Sequence, residues 1–507
     1  MRKFLLCLAA LPLLALLARG AEDSVRVESG LLSGVTGLSP EVKVFKGIPY
    51  AAPPVGDLRW RFPKAPKKWE GVRKSDSFGP TCMQTPYAEG SPYRSTPEPV
   101  SEDCLYLNVW TAARSMQERR PVMVWIHGGA LTRGSGSLAA YDGEELAKKG
   151  VVLVTINYRL GIFGFFAHPE LTKESDRNSS GNYGLLDQIA SLEWVQKNIG
   201  AFGGDPKRIT IFGESAGSWS VNALVATPLA KGLFQRAIGE SGANFAPLPK
   251  LAESEQAGLS LAKSKGAESI AALRAKSARE LIQGRTEIAR PTVDGWLLPT
   301  DVRTIFEHGR QNDVPVLIGS NADEGTAFTP PVVKAAAFEA QAKSRFGEHA
   351  SAFLKIYPAD SDEDARASAA AALRDQTFGW EMRTWARLQS KTGKSRVYLY
   401  YFSRVPPGPV GKRLGAYHAS EIRYVFNNMT SGAVEDIDRR LADVMSSYWV
   451  NFATSGNPNH KGLPKWPAYH DKVNLAMGFG ERIVPTEVPN KPALDFLDAR
   501  LPPSSPR

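Results

Sequence analysis

Ile209-Thr210-Ile211-Phe212-Gly213-Glu214-Ser215-Ala216-Gly217 is a short apolar run that breaks into a Gly-x-Ser-x-Gly turn. The run has the composition of a buried strand, and the residues after it read as the opening of a helix. A strand that turns sharply into a helix carries the residue at the turn out of the end of a sheet, and here that residue is Ser215. Glycine is needed on both sides because a side chain there would strike neighbouring backbone. With 45 glycines in 507 residues the five-residue pattern alone carries little weight, so its setting between strand and helix decides. Gly239-Glu240-Ser241-Gly242-Ala243 begins in the same way, lacks the last glycine, and reads as a decoy.

Similar apolar runs lie on both sides, at residues 122–126, 151–156, 314–318 and 397–402. Continuous runs suit strands covered on both faces of a largely parallel sheet. Residues 25–27 and 42–45 instead place a charge between apolar positions, as half-buried strands do. Leu185, Ile189, Leu192 and Val195 share a helical face. So do Ile437, Leu441, Val444, Tyr448 and Phe452, and that helix should stop near Gly456-Asn457-Pro458. Alternating strands and helices predict an α/β fold, a large mostly parallel sheet flanked by helices. No linker divides the chain, so residues 21–501 are expected to form one domain. Residues 252–290 and much of 333–389 are expected as helical insertions above the sheet, and 502–507 as a disordered tail.

The chain opens with Arg2 and Lys3, an apolar run from Phe4 to Leu17, and Ala18-Arg19-Gly20. This is the pattern of a secretory signal peptide cleaved after Gly20, so residues 1–20 are expected to be removed and the protein to be secreted or periplasmic. The run is too short to span a bilayer, and no later stretch is apolar enough over the needed length. With Cys7 in the leader, Cys82 and Cys104 remain, and in an exported chain they are expected to form a disulfide. A metal site is not expected, because no histidine or further cysteine stands near them at ligand spacing. The net charge of +10 is scattered rather than striped, which argues against nucleic acid and leaves only a weak preference for anionic substrates.

A serine hydroxyl needs a base and an oxyanion site before it acts as a nucleophile. His127-Gly128-Gly129-Ala130 sits just past an apolar strand, where an oxyanion loop belongs. Four further stretches stand out: Phe45-Lys46-Gly47-Ile48-Pro49-Tyr50-Ala51, Ser101-Glu102-Asp103-Cys104-Leu105-Tyr106-Leu107-Asn108-Val109, Gly181-Asn182-Tyr183-Gly184-Leu185-Leu186-Asp187-Gln188 and Phe202-Gly203-Gly204-Asp205-Pro206. With these the chain resembles the type-B carboxylesterase family, which includes the cholinesterases, from about residue 25 to 480.

The resemblance implies an α/β-hydrolase fold and a serine carboxylesterase that cleaves small esters through an acyl-enzyme, without metal or cofactor. It implies a triad of Ser215, Glu324 and His418, with backbone N–H groups of Gly129, Ala130 and Ala216 as oxyanion donors. Asp323 competes locally for the acid, and chemistry alone does not choose between the neighbours. Of seven histidines, His418 is the one in a segment similar to the family's histidine segment. Arg59 and Glu102 match a structural ion pair. Two departures matter. Ala130 stands where many members have glycine, which adds a methyl to the oxyanion loop. The segment between Cys82 and Cys104 contains no tryptophan, which argues against choline recognition by cation–π contact. A non-catalytic binding protein on the same fold, and a lipase for long acyl chains, are the competing expectations. Neither the natural ester nor the oligomeric state is legible.

Overall fold

The computed structural model describes residues 24–96, 98–284, 289–430 and 432–500. The expected signal peptide at 1–20 and the tail at 502–507 lie outside the described residues.

Among the described residues eleven strands form one sheet. In chain order they are β1 (Val35–Thr36), β2 (Lys43–Pro49), β3 (Tyr106–Thr111), β4 (Arg120–Ile126), β5 (Val152–Ile156), β6 (Gly204–Glu214), β7 (Arg236–Glu240), β8 (Val316–Asn321), β9 (Val397–Phe402), β10 (Leu475–Phe479) and β11 (Ile483–Glu487). The spatial order is β11-β10-β9-β8-β7-β6-β4-β5-β3-β2-β1. From β10 across to β5 every neighbouring pair is parallel. β3, β2 and β1 at one edge and β11 at the other are antiparallel. The mostly parallel sheet expected from the apolar runs is therefore present.

Both faces of the parallel strands are covered, which is why those runs do not alternate with polar residues. Val122, Val124, Ile126, Ile209 and Ile211 point into one core, and Met123, Trp125 and Phe212 into the other. Full burial of each such side chain contributes roughly 1.5–3 kcal/mol. Helices α1 (Tyr183–Asn198), α2 (Ala216–Ala226) and α5 (Trp380–Thr392) supply Leu185, Val221 and Trp385 to the first core. Helix α6 (Asp436–Ser455) supplies Leu441, Met445, Trp449 and Phe452 to the second, and ends at Gly456 with φ 76°, as its Gly-Asn-Pro predicts. Helices α3 (Ala335–Phe346) and α4 (Asp362–Arg374) fall in the expected insertion. A π-helical stretch, Asp375–Gly379, joins α4 to α5.

Cys82 and Cys104 are disulfide-bonded. Arg59 and Glu102 pair in a fork, Nε to Oε2 at 2.6 Å and Nη2 to Oε1 at 2.5 Å. Among the described residues no helix is long and apolar enough to cross a membrane.

Candidate active site

Ser215 occupies the turn between β6 and α2, with φ 58° and ψ −123°. A non-glycine residue there is strained, and such strain persists only where surrounding structure over-determines it. The surroundings are tight. The Ser215 N–H donates to Glu240 O at 2.8 Å, and the Ser215 carbonyl accepts from Trp219 N at 2.9 Å. A Cβ on Gly217 would lie 2.0 Å from Ile126 O, and one on Gly213 2.5 Å from the same oxygen. The two glycines thus let the turn pack onto the end of β4. Ser215 is half-buried between buried neighbours, so its hydroxyl is presented rather than enclosed.

The strand beside it ends in the same way. β6 and β7 run in register with Gly213 opposite Gly239 and Glu214 opposite Glu240. Ser241, next along, has φ 57°, and its N–H donates to Gly319 O at 2.8 Å. The Gly-Glu-Ser dismissed as a decoy is a second turn of the same shape. Its hydroxyl points elsewhere: Ser241 Oγ donates to Glu324 Oε1 at 2.5 Å.

Glu324 follows β8 and is fully buried. Its Oε1 also accepts the Asn321 N–H at 2.7 Å, and its Oε2 lies 2.5 Å from His418 Nδ1. Of the two adjacent acids, Glu324 is therefore the one that meets the histidine. Asp323 Oδ2 instead accepts the Ala416 N–H at 2.8 Å and fixes the segment leading to His418. A Cβ on Gly415, at φ 73°, would fall 2.2 Å from that same oxygen.

His418 is held from several sides. Its Nε2 faces the Ser215 turn and lies 3.0 Å from Glu214 Oε1. This contact is an ion pair only when the imidazole is protonated. Burial, with Glu324 and Glu240 nearby, pushes the Glu214 carboxyl well above the usual range. The Phe378 ring, from the π-helical stretch, sits 4.6 Å from the imidazole, and the Phe328 ring 5.1 Å. Tyr93 donates its hydroxyl to His418 O at 3.1 Å.

Tyr93 belongs to the loop closed by the disulfide, and that loop also grips the glycine loop after β4. Gln84 donates to Gly134 O at 2.8 Å and accepts from Gly134 N at 2.9 Å, and Arg133 Nε donates to Thr85 O at 3.0 Å. Within the glycine loop Gly129 and Ala130 both have positive φ, at 106° and 55°. A Cβ on Gly128 would lie 3.1 Å from Ser215 Cβ, which places this loop directly against the serine turn. Among the described residues the N–H groups of Gly129, Ala130 and Ala216 donate to no protein acceptor. Ala130 is exposed, so its methyl projects to the open side. His127 is buried, and desolvation lowers its pKa to about 4, so it stands as a neutral scaffold residue with Nδ1 2.8 Å from Gly128 O.

Sequence reasoning missed Ser241, Tyr93, Phe328, Phe378 and the role of the residue after each Gly. The repeat of Gly-Glu-Ser behind two neighbouring apolar strands was the available signal for Ser241.

Glu240 is fully buried beneath the turn. Its Oε1 accepts Trp449 Nε1–H at 2.8 Å, its Oε2 has no partner, and burial pushes its pKa up to about 8. The folded chain then keeps a proton that the unfolded chain releases above roughly pH 4.5. Glu240 therefore subtracts stability as pH rises from about 4.5 to 8. Glu240→Gln is expected to gain stability relative to wild type over that range, by up to roughly 1.4 kcal/mol per pH unit. Urea unfolding midpoints of both proteins at pH 5 and pH 8 check this; equal pH dependence would mean that Glu240 is charged in the fold.

A cavity of about 900 Å³ is lined by Trp219, Ala243, Asn244 and Phe328 but not by Ser215 or His418, and Trp219 is the residue whose N–H the Ser215 carbonyl accepts. Its size suits a drug-sized organic molecule.

The carboxylesterase family model matches residues 21–496. Fumonisin B1 esterase of Sphingopyxis macrogoltabida is 42% identical over 483 residues, covering 90% of this chain and 86% of that protein. Para-nitrobenzyl esterase of Bacillus subtilis (strain 168) is 36% identical over 472 residues, covering 89% and 93%. A solved structure of PNB esterase superposes with a TM-score of 0.81 at 35% identity, over 93% of this chain and 99% of that one. The fold is therefore that of the α/β-hydrolases, and the chain belongs to the carboxylesterase family, hydrolases of carboxylic esters.

Proposed function

We propose that this carboxylesterase works through an acyl-enzyme on Ser215, with His418 as base and Glu324 as its orienting acid. The observation that carries the reading is the His418 Nδ1 to Glu324 Oε2 contact of 2.5 Å, with Nε2 turned to the serine turn. Glu324 accepts the Nδ1–H, which leaves the Nε2 lone pair for the Ser215 proton. Ser215 Oγ bonds to the ester carbonyl carbon and its proton passes to Nε2. The carbonyl electrons move onto oxygen, where the free N–H groups of Gly129, Ala130 and Ala216 receive the charge. One such donor contributes about 3–4 kcal/mol to the transition state. The imidazolium gives its proton to the leaving alkoxide, and the alcohol departs. Water then repeats the sequence and releases the acid.

The same reading takes residues 1–20 as a cleaved leader, 21–501 as one catalytic domain and the mature enzyme as secreted or periplasmic. The disulfide supports export.

Treatment with a fluorophosphonate is expected to add one adduct per chain, at Ser215, by peptide mass spectrometry. An unlabelled wild-type protein would favour the non-catalytic binding reading. A label that persists in Ser215→Ala would move the nucleophile elsewhere.

A further inference from the structure

The 900 Å³ cavity has a divided lining. Leu248, Val333, Phe338, Phe346, Phe353 and Leu373 give it an apolar body. Arg290, Lys334 and Arg345 stand along it as cations and are exposed, which puts them at the rim. Lys334 is occupied: its Nζ pairs with Asp362 Oδ2 at 2.7 Å. Arg290 and Arg345 form no ion pair among the described residues, and Arg345 only lies over the Phe346 ring, 5.4 Å from its centroid. Among the described lining residues the one acid is Glu381. It is turned inward, accepting the Phe245 and Ala246 N–H groups at 2.8 and 3.1 Å, and burial pushes its pKa up to about 8. Among the described residues the lining thus carries two cations without an acidic partner over an apolar pocket.

The pocket shares two walls with the serine turn and His418, Trp219 and Phe328. Asn244 Nδ2 donates to Trp219 O at 2.6 Å on the first turn of α2, and Phe328 packs on the His418 ring. We infer that the enzyme takes amphiphilic anionic esters, whose apolar body fills this cavity and whose carboxylate is held at the rim by Arg290 and Arg345. The inference rests on the Ser215 assignment but concerns substrate class. Guanidinium groups suit a carboxylate because they present paired N–H donors in its plane.

The test compares esters that differ only in a terminal carboxylate or its neutral primary amide. In one arm the group ends the acyl chain, as in the mono(para-nitrophenyl) ester of suberic acid against that of suberamic acid. In the other it ends the alcohol, as in the butyrates of a hydroxyoctanoic acid and its amide. Wild type is expected to favour the carboxylate about fivefold to tenfold in kcat/KM, the scale of two exposed charge pairs. The favoured arm tells which half of the ester lies under the rim. No preference in either arm overturns the inference. The paired substitution Arg290→Ala with Arg345→Ala is expected to abolish the preference and leave the amide esters within about twofold. A preference retained in that variant overturns it as well. Should the variant not fold, added NaCl on wild type serves: the preference is expected to shrink with salt, and one indifferent to salt overturns the inference. Turnover of the amide esters reads the Ser215 assignment separately.

Discussion

Ser215→Ala is expected to lower kcat for a simple aryl ester by about 10⁶-fold, the cost of removing the nucleophile from an enzyme whose serine and base act as a unit. KM is expected to change little, because the cavity and the glycine loop are untouched. The strained turn should survive, since the N–H bond from residue 215 to Glu240 O and the packing of Gly217 on Ile126 do not depend on the hydroxyl. Alanine at φ 58° carries the same cost as serine, so the unfolding midpoint should stay close to that of wild type. A variant that keeps more than about a hundredth of the activity would place the nucleophile elsewhere.

His418→Ala is expected to cost about as much, again near 10⁶-fold in kcat. Without Nε2 the serine proton has lost its proposed acceptor. The double variant Ser215→Ala with His418→Ala should be no slower than either single one, because each alone already removes the covalent route. A double variant slower by a further large factor would mean that the two residues act independently. Removing the imidazole also empties the space beside Phe328 and Phe378 and leaves Glu324 buried with one partner fewer, so some loss of stability is expected here and not for Ser215. Activity and unfolding midpoint measured together separate the two effects.

How much of this was legible depended on whether a feature was local. The central strands were, because burial on both faces leaves residues such as 122–126 uniformly apolar. The serine turn was, because its two glycines, the apolar strand before it and the helix after it lie in one short stretch, although what the glycines meet is Ile126 O on β4. Glu324 and His418 were not legible from chemistry: their meeting spans 94 positions, and only the resemblance to a family ranked Glu324 over Asp323. The Gly-Glu-Ser repeat marked Ser241, but what its hydroxyl does was not legible, for a related reason. Its task follows from the register of β7 against β6 and β8, and register is a property of pairs of strands. Tyr93 lies 325 positions from the carbonyl it touches, beyond any spacing rule.

The loop between Cys82 and Cys104 holds Gly134 through Gln84 and His418 through Tyr93, so one closed segment braces both the glycine loop and His418. Its consequence is one of timing. A loop left open would have to be ordered anew with each substrate, and that lost freedom would be subtracted from transition-state affinity at every turnover. Closure moves the ordering to the moment of folding, once per molecule. The bridge thus concerns the preorganisation of the centre, and with it the rate, more than the survival of a sheet that already buries both its faces.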